Sequence, residues 1–239
     1  MAGAIGDEAP VERLYHQHEV GTLFDRCRGM LGAVLVLLDK GFVQEAAMCC
    51  RPLFVDTLAL AEIAAADDKR RISLVVGRQL DAIADVEGIF REMQARGDKK
   101  VVKNLEHMAE RRRRVEEYAR RHDASTRHWD PEDQVKTLAD KHGRGDEYVS
   151  YRMTHHFVHG SAAITEHRSS LDDENVARIG GPHLDVEIWE RPTAVFAAHC
   201  LALACRATCS TFGYDEPQEL EDLLRRIESM MRGETERAD

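Results

Sequence analysis

Apolar residues recur every three to four positions through most of the chain, and no apolar–polar alternation of period two persists. A period near 3.6 lines up side chains on one face of an α-helix, whereas a half-buried strand needs a period of two. The expected fold is therefore all-α, about seven or eight helices around one bundle core, with residues 11–232 as a single domain. Residues 11–38 form the first helix, and Gly41 stops it. Residues 43–66 form the second, with Ala46, Leu53, Phe54 and Leu58 on its inner face and Pro52 expected to kink or restart it. Asp67-Asp68 caps a third helix that ends near Gly97. Residues 99–121 make a fourth, heavily charged helix. Asp130-Pro131 starts a short helix that stops at Gly143. Helices are also expected over residues 146–164, 192–212 and 216–232. Residues 165–190 hold Ser-Ser, Asp-Asp-Glu-Asn and Gly-Gly-Pro, and read as a long loop. Residues 1–10 and 233–239 read as flexible tails.

Charge and cysteine content bound the function. The formal net charge is -10, which argues against sequence-independent affinity for nucleic acid over the whole surface but leaves room for a local basic site. The six cysteines include no CxxC pair, so zinc-ribbon and thioredoxin-like readings fail. Most lie in apolar helical runs, where free Cys acts as a small hydrophobe. That pattern points to a reducing compartment without disulfides. The first ten residues lack a basic, apolar signal pattern. The apolar-rich residues 193–212 are interrupted by His199 and Arg206, which favours a core helix over a membrane span. A cytoplasmic location with no membrane contact is expected.

The chemistry concentrates at residues 147–159, EYVSYRMTHHFVH. On a helix, Tyr148, Arg152, His155 and His159 fall within a sector of about 60°. His156 lies to one side of that sector, while Val149, Met153 and Phe157 line another side. Apolar groups on several sides imply burial, so the polar line needs partners or a cavity. Arg152 is a permanent cation with paired donors for a phosphate or carboxylate. His159 can move a proton near neutral pH. Together they could cleave RNA without a metal, His159 working on the ribose 2′-hydroxyl or the leaving oxygen while Arg152 holds the phosphate. His155 and His159 also stand at i, i+4, a spacing that lets two imidazoles share a metal, with His156, Glu166 or His167 as third ligand. A purely structural network, with Arg152 on a buried carboxylate and His159 on a backbone carbonyl, fits the same spacing.

Other features read more plainly. Arg111–Arg114 with Arg120 and Arg121 is a basic run, but Glu110, Glu116 and Glu117 interleave with it, as on a solvated helix face. Arg51 sits among Cys50, Leu53 and Phe54 and is expected to be buried and paired, with Asp56 or Glu45 as partner. Trp129 reads as a lid over the core, and Cys205 and Cys209 as core packing.

In order, Gly41, Arg51-Pro52-Leu53-Phe54, Trp129, Tyr148, Tyr151-Arg152 and His159-Gly160-Ser161 resemble an uncharacterised bacterial helical family, the domain of unknown function numbered 5677. The likeness covers roughly residues 15–210 and rests on order and spacing. It implies a helical fold and no established activity. The chain departs from the family at Val55, where an acidic residue usually stands four after the Arg; Asp56 comes one step later. A second likeness is to the HEPN group of helical ribonucleases and toxin components, whose motif is an Arg, four to six residues, and a His. Arg152 and His159 have six residues between them. That likeness implies a dimer with a composite, metal-free RNA-cutting site. Arg152 and His159 would be catalytic, assisted by His155 or His156 and by Tyr148. Separately from that likeness, Arg51 and Tyr151 are expected to contact substrate.

The leading expectation is thus a homodimeric, metal-independent ribonuclease or RNA-binding protein of a bacterial defence or stress system, with no cofactor. One rival is a helical scaffold or sensor whose 165–190 segment receives a protein partner. The other is a metal-dependent hydrolase built on the His cluster.

Overall fold

The computed structural model describes the backbone of residues 9–158, 169–171, 177–179 and 186–231, and the side chains of residues 17–154 and 189–231. Eight α-helices occur among them: α1 Ala9–Asp39, α2 Val43–Ala65, α3 Asp68–Ala95, α4 Val102–Arg121, α5 Val135–Lys141, α6 Gly145–Val158, α7 Val186–Phe212 and α8 Gln218–Met231. The all-α expectation holds. The described exception is an antiparallel ribbon of Ser169–Leu171 (β1) and Ala177–Ile179 (β2), in register Ser170↔Arg178. Three-residue strands are too short for an alternation to show in sequence. They replace part of the long loop expected over residues 165–190.

Local signals set most helix ends. Asp67 caps α3, its carboxylate accepting from the Arg70 amide at 2.8 Å. Asp98 accepts from the Lys100 amide at 2.9 Å where a short 3₁₀ turn leads into α4. Asp130 accepts from the Glu132 amide at 2.8 Å ahead of α5. Gly143 and Gly213, both at positive φ, follow α5 and α7 and turn the chain. The readings of a restart at Pro52 and of a helix start near Pro192 need correction. α2 runs through Pro52 without a break, and α7 begins at Val186 rather than near Pro192, which lies inside it. A proline in a helix removes one hydrogen bond, and side-chain packing can outweigh that loss.

The contacts fall into two compact units. Among the described residues, the first holds residues 9–19 and Ile63–Gln134, and the second holds Val20–Glu62 and those from Val135 onward. α1 and α2 each contribute to both.

In the first unit α3 and α4 pair through Val76, Leu80 and Ile83 against Val115, Tyr118 and Ala119. The segment after α4 lies on α3 at Gly77, where an added Cβ would come within 2.4 Å of the Arg127 carbonyl oxygen and 3.0 Å of the Trp129 Cβ. Only glycine allows that approach. Trp129 is buried there, as the lid reading expects.

The second unit is built around α2. Its residues 53–60 are all buried, so this helix, not α6, is the more enclosed. Phe54 meets Tyr151 of α6 and Phe196 of α7 at ring separations of 5.6 and 5.7 Å. The small residues Ala46, Ala47 and Cys50 on α2 and Ala197 and Cys200 on α7 are buried. They let the backbones come close enough for Thr57 Oγ1 to reach the Cys200 carbonyl at 3.1 Å. Ala202 and Leu203 of α7 pack on Leu220 and Leu224 of α8. The segment Trp189–Phe212 is long and apolar enough to cross a membrane by length and composition, and 44% of its most apolar window is buried in the protein.

Candidate functional site on helix α6

Helix α6 is held by one face. Glu147, Tyr151 and Thr154 are buried, and at 100° per residue they occupy about 60° of the helix. Tyr151 packs on Phe54, and the Thr154 hydroxyl donates to the Tyr151 carbonyl at 2.7 Å. The expected apolar side faces outward: Val149 is 61% and Met153 43% exposed. The burial inferred for α6 from its apolar residues is therefore corrected. The buried face was the hard one to foresee, because it carries a carboxylate and two hydroxyls.

The Tyr–Arg–His line runs about 100° round from that anchored face. Tyr148 is half-buried and stacks on Tyr151, ring centres 5.9 Å apart and planes inclined by 20°. Arg152 is exposed. The backbone of His155 and His156 continues α6, but their side chains lie outside the described residues, as does all of His159. Glu166 and His167 are outside them as well. Among the described residues no three His, Cys, Asp or Glu side chains come close enough to hold a metal ion.

Arg51 is half-buried, with its guanidinium carbon 5.4 Å from the Tyr151 ring centre. That is a cation–π distance, and it fastens α2 to α6. Asp56, an expected partner of Arg51, lies with its Oδ2 3.2 Å from Arg26 Nε of α1. Tyr148, Tyr151 and Arg51 thus come together, and Arg152 projects beside them. Tyr151, expected to contact substrate, is 8% exposed and packs on Phe54.

Two buried ionic groups were not singled out from the sequence. Glu62, 1% exposed on α2, accepts from Lys141 Nζ at 2.6 and 2.7 Å and lies 3.0 Å from His142 Nε2. His199, 2% exposed in the apolar run of α7, lies between Glu147 at 3.5 Å from Nδ1 and Glu228 at 4.0 Å from Nε2. Neither ring nitrogen makes a hydrogen bond among the described residues. Burial holds the His199 pKa below its ordinary value against the opposing pull of Glu147 and Glu228, with Arg144 and Arg206 adding to the lowering. The two carboxylates sit on opposite ring nitrogens, so they cannot share one ion with the imidazole. A titratable residue set within an apolar stretch of helix was the available signal for both groups.

The remaining readings fall into place. Arg113 and Arg114 bridge to Glu110 at 2.9 and 3.0 Å, and Arg112 reaches Glu87 at 3.1 Å, so these three arginines of the basic run are paired. All six cysteines are free. Burial raises the thiol pKa of Cys200 well above the usual range and that of Cys50 to about 12, which leaves both neutral.

No curated protein and no solved structure matches the chain. A family model does, over residues 18–176, a span that takes in α2, the Gly77–Trp129 contact and the whole of α6. With Arg51, Trp129, Tyr148, Tyr151 and Arg152 all inside that span, the chain belongs to the family of unknown function DUF5677.

Proposed function

We propose that the protein is a metal-independent endoribonuclease of the HEPN type, acting as a homodimer through Arg152 and His159. The observation that carries this reading is the exposure of Arg152 on a helix that is anchored in the core by a different face. A structural network would bury Arg152 against a carboxylate; a phosphate-holding cation must reach solvent. Tyr151, Tyr148 and Arg51 hold the helix at a fixed rotation, which limits the freedom of the groups beside them.

In this reaction the ribose 2′-oxygen attacks the adjacent phosphorus and the bond to the 5′-oxygen breaks. His159 takes the 2′-proton, and His155 or His156 returns a proton to the departing 5′-oxygen. The products are a 2′,3′-cyclic phosphate and a 5′-hydroxyl. Arg152 stabilises the added charge on the phosphoryl oxygens. A bacterial defence or stress role and a cytoplasmic location accompany the reading.

The test is cleavage of a labelled RNA in excess chelator by wild type, Arg152→Ala and His159→Ala, each first shown folded by its melting curve. The reading expects cyclic-phosphate ends from wild type and a loss on the order of a hundredfold or more in each variant. Activity that vanishes in chelator and returns with a divalent ion would favour the metal-dependent alternative.

A second reading has its own support. Glu62 and Glu147 have ionic partners within the chain, as expected of a helical scaffold. Wild type without RNA cleavage, and Arg152→Ala indistinguishable from it in every assay, would favour that reading.

A further inference from the structure

Along the N-terminal half of α7 the second unit carries a cleft with two chambers. The larger, of about 370 Å³, is walled by Val195 and Phe196 of α7 and by Met230 and Met231 at the end of α8. The smaller, of about 220 Å³, lies between Ala47 and Cys50 of α2, Met153 of α6 and Trp189 of α7. Ser150, Pro192 and Phe196 border both, so the two chambers are adjacent. A void of this size lies within the range of small-molecule sites, roughly 300–1,000 Å³.

The chemistry of the walls selects an occupant. They are aliphatic, aromatic and thioether, and the three methionines, 37–45% exposed, can mould to a flexible chain. Polar groups are few and partly engaged. The Thr154 hydroxyl donates to the Tyr151 carbonyl, and the Cys50 thiol, 3.9 Å from the Thr193 carbonyl, stays neutral. A polyhydroxylated or multiply charged ligand would leave its groups unsatisfied here. Arg191 is the one formal charge among the described residues lining the cleft, and it is exposed at the larger chamber. A guanidinium beside an apolar path matches a single carboxylate followed by a hydrocarbon tail.

We propose that this cleft binds a medium-chain monocarboxylate, its headgroup on Arg191 and its tail running past Phe196 toward Trp189. The assignment is independent of the ribonuclease reading, since neither Tyr148 nor Arg152 lines the cleft.

Isothermal titration calorimetry of the full chain with decanoate tests it, with decanol as the uncharged control. Arg191→Gln and Val195→Phe are the variants, and their melting curves are taken first. The first removes an exposed cation, and the second fills the larger chamber. Saturable one-site binding to wild type is expected, weakened about tenfold or more by Arg191→Gln, or about 1.4 kcal/mol, and abolished by Val195→Phe. Decanol should bind at least as weakly to wild type as decanoate binds to Arg191→Gln. No saturable heat, equal affinity of decanoate for wild type and Arg191→Gln, or decanol binding as tightly as decanoate would each overturn the proposal. Sedimentation velocity on the same samples addresses another occupant: a dimer that Val195→Phe dissociates would mean that a second copy fills the cleft, and would overturn it too.

Discussion

The surface of α4 and the interior around α2 handle charge in opposite ways. On α4, Glu110 bridges Arg113 and Arg114, all three at least 40% exposed. In the second unit, Glu62 meets Lys141 and His142 with its carboxylate 2% exposed. The geometries are similar, but the solvent is not. An exposed pair gains little because water already solvates each ion and salt screens the attraction. A buried carboxylate has lost that solvation, so its partners are needed to keep it charged. The most charge-dense stretch of the sequence is thus expected to matter less for stability than single charges set in apolar helices.

Four experiments can break that comparison. The largest effect should come from Lys141→Met, which strips the doubly bonded partner from Glu62. A loss of about 2–4 kcal/mol in denaturant unfolding is expected, and a loss no larger than that of the α4 variant below would refute the contrast. Next is Gly77→Ala in the first unit. The new methyl meets the Arg127 carbonyl, which must move, at a cost of about 1–3 kcal/mol, with altered Trp129 fluorescence as a local readout.

The third concerns His199. Its folded pKa is lowered, so below the ordinary value of 6.5 the unfolded chain binds a proton that the folded chain refuses. Stability should therefore fall as pH drops through 6.5 toward the folded pKa, with a slope of at most about 1.4 kcal/mol per pH unit from this group. His199→Gln should flatten that part of the profile, as read by denaturant midpoints from pH 8 to pH 5. An unchanged slope would mean that His199 protonates freely in the folded protein.

The smallest effect is expected at Glu110. Its bonds to Arg113 and Arg114 hold its carboxyl at about 2, below the ordinary value. A lowered acid supports folding above its unfolded pKa and loses that support as pH falls toward 2. The pair lies at the surface, so Glu110→Gln should barely move the melting temperature, and high salt should erase what difference there is.

Some of this was legible in the sequence. Helix periodicity, the Asp caps at 67 and 130 and the glycine stop at 143 act within a few residues, and those effects survive outside any tertiary context. So does the juxtaposition of Tyr148 and Arg152 one helical turn apart. Tertiary structure decided which face of each helix turned inward. α6 exposes Val149 and Met153 while burying Glu147 because Phe54 and His199 offer partners to its other side. Those partners come from positions far along the chain, as Glu62 and Lys141 do across 79 residues. A periodic pattern reports that a face exists, but only packing determines what covers it. That is why the helices could be read from the amino acids, while the exposure of Arg152 and the cleft beside Arg191 emerged only when those helices were assembled.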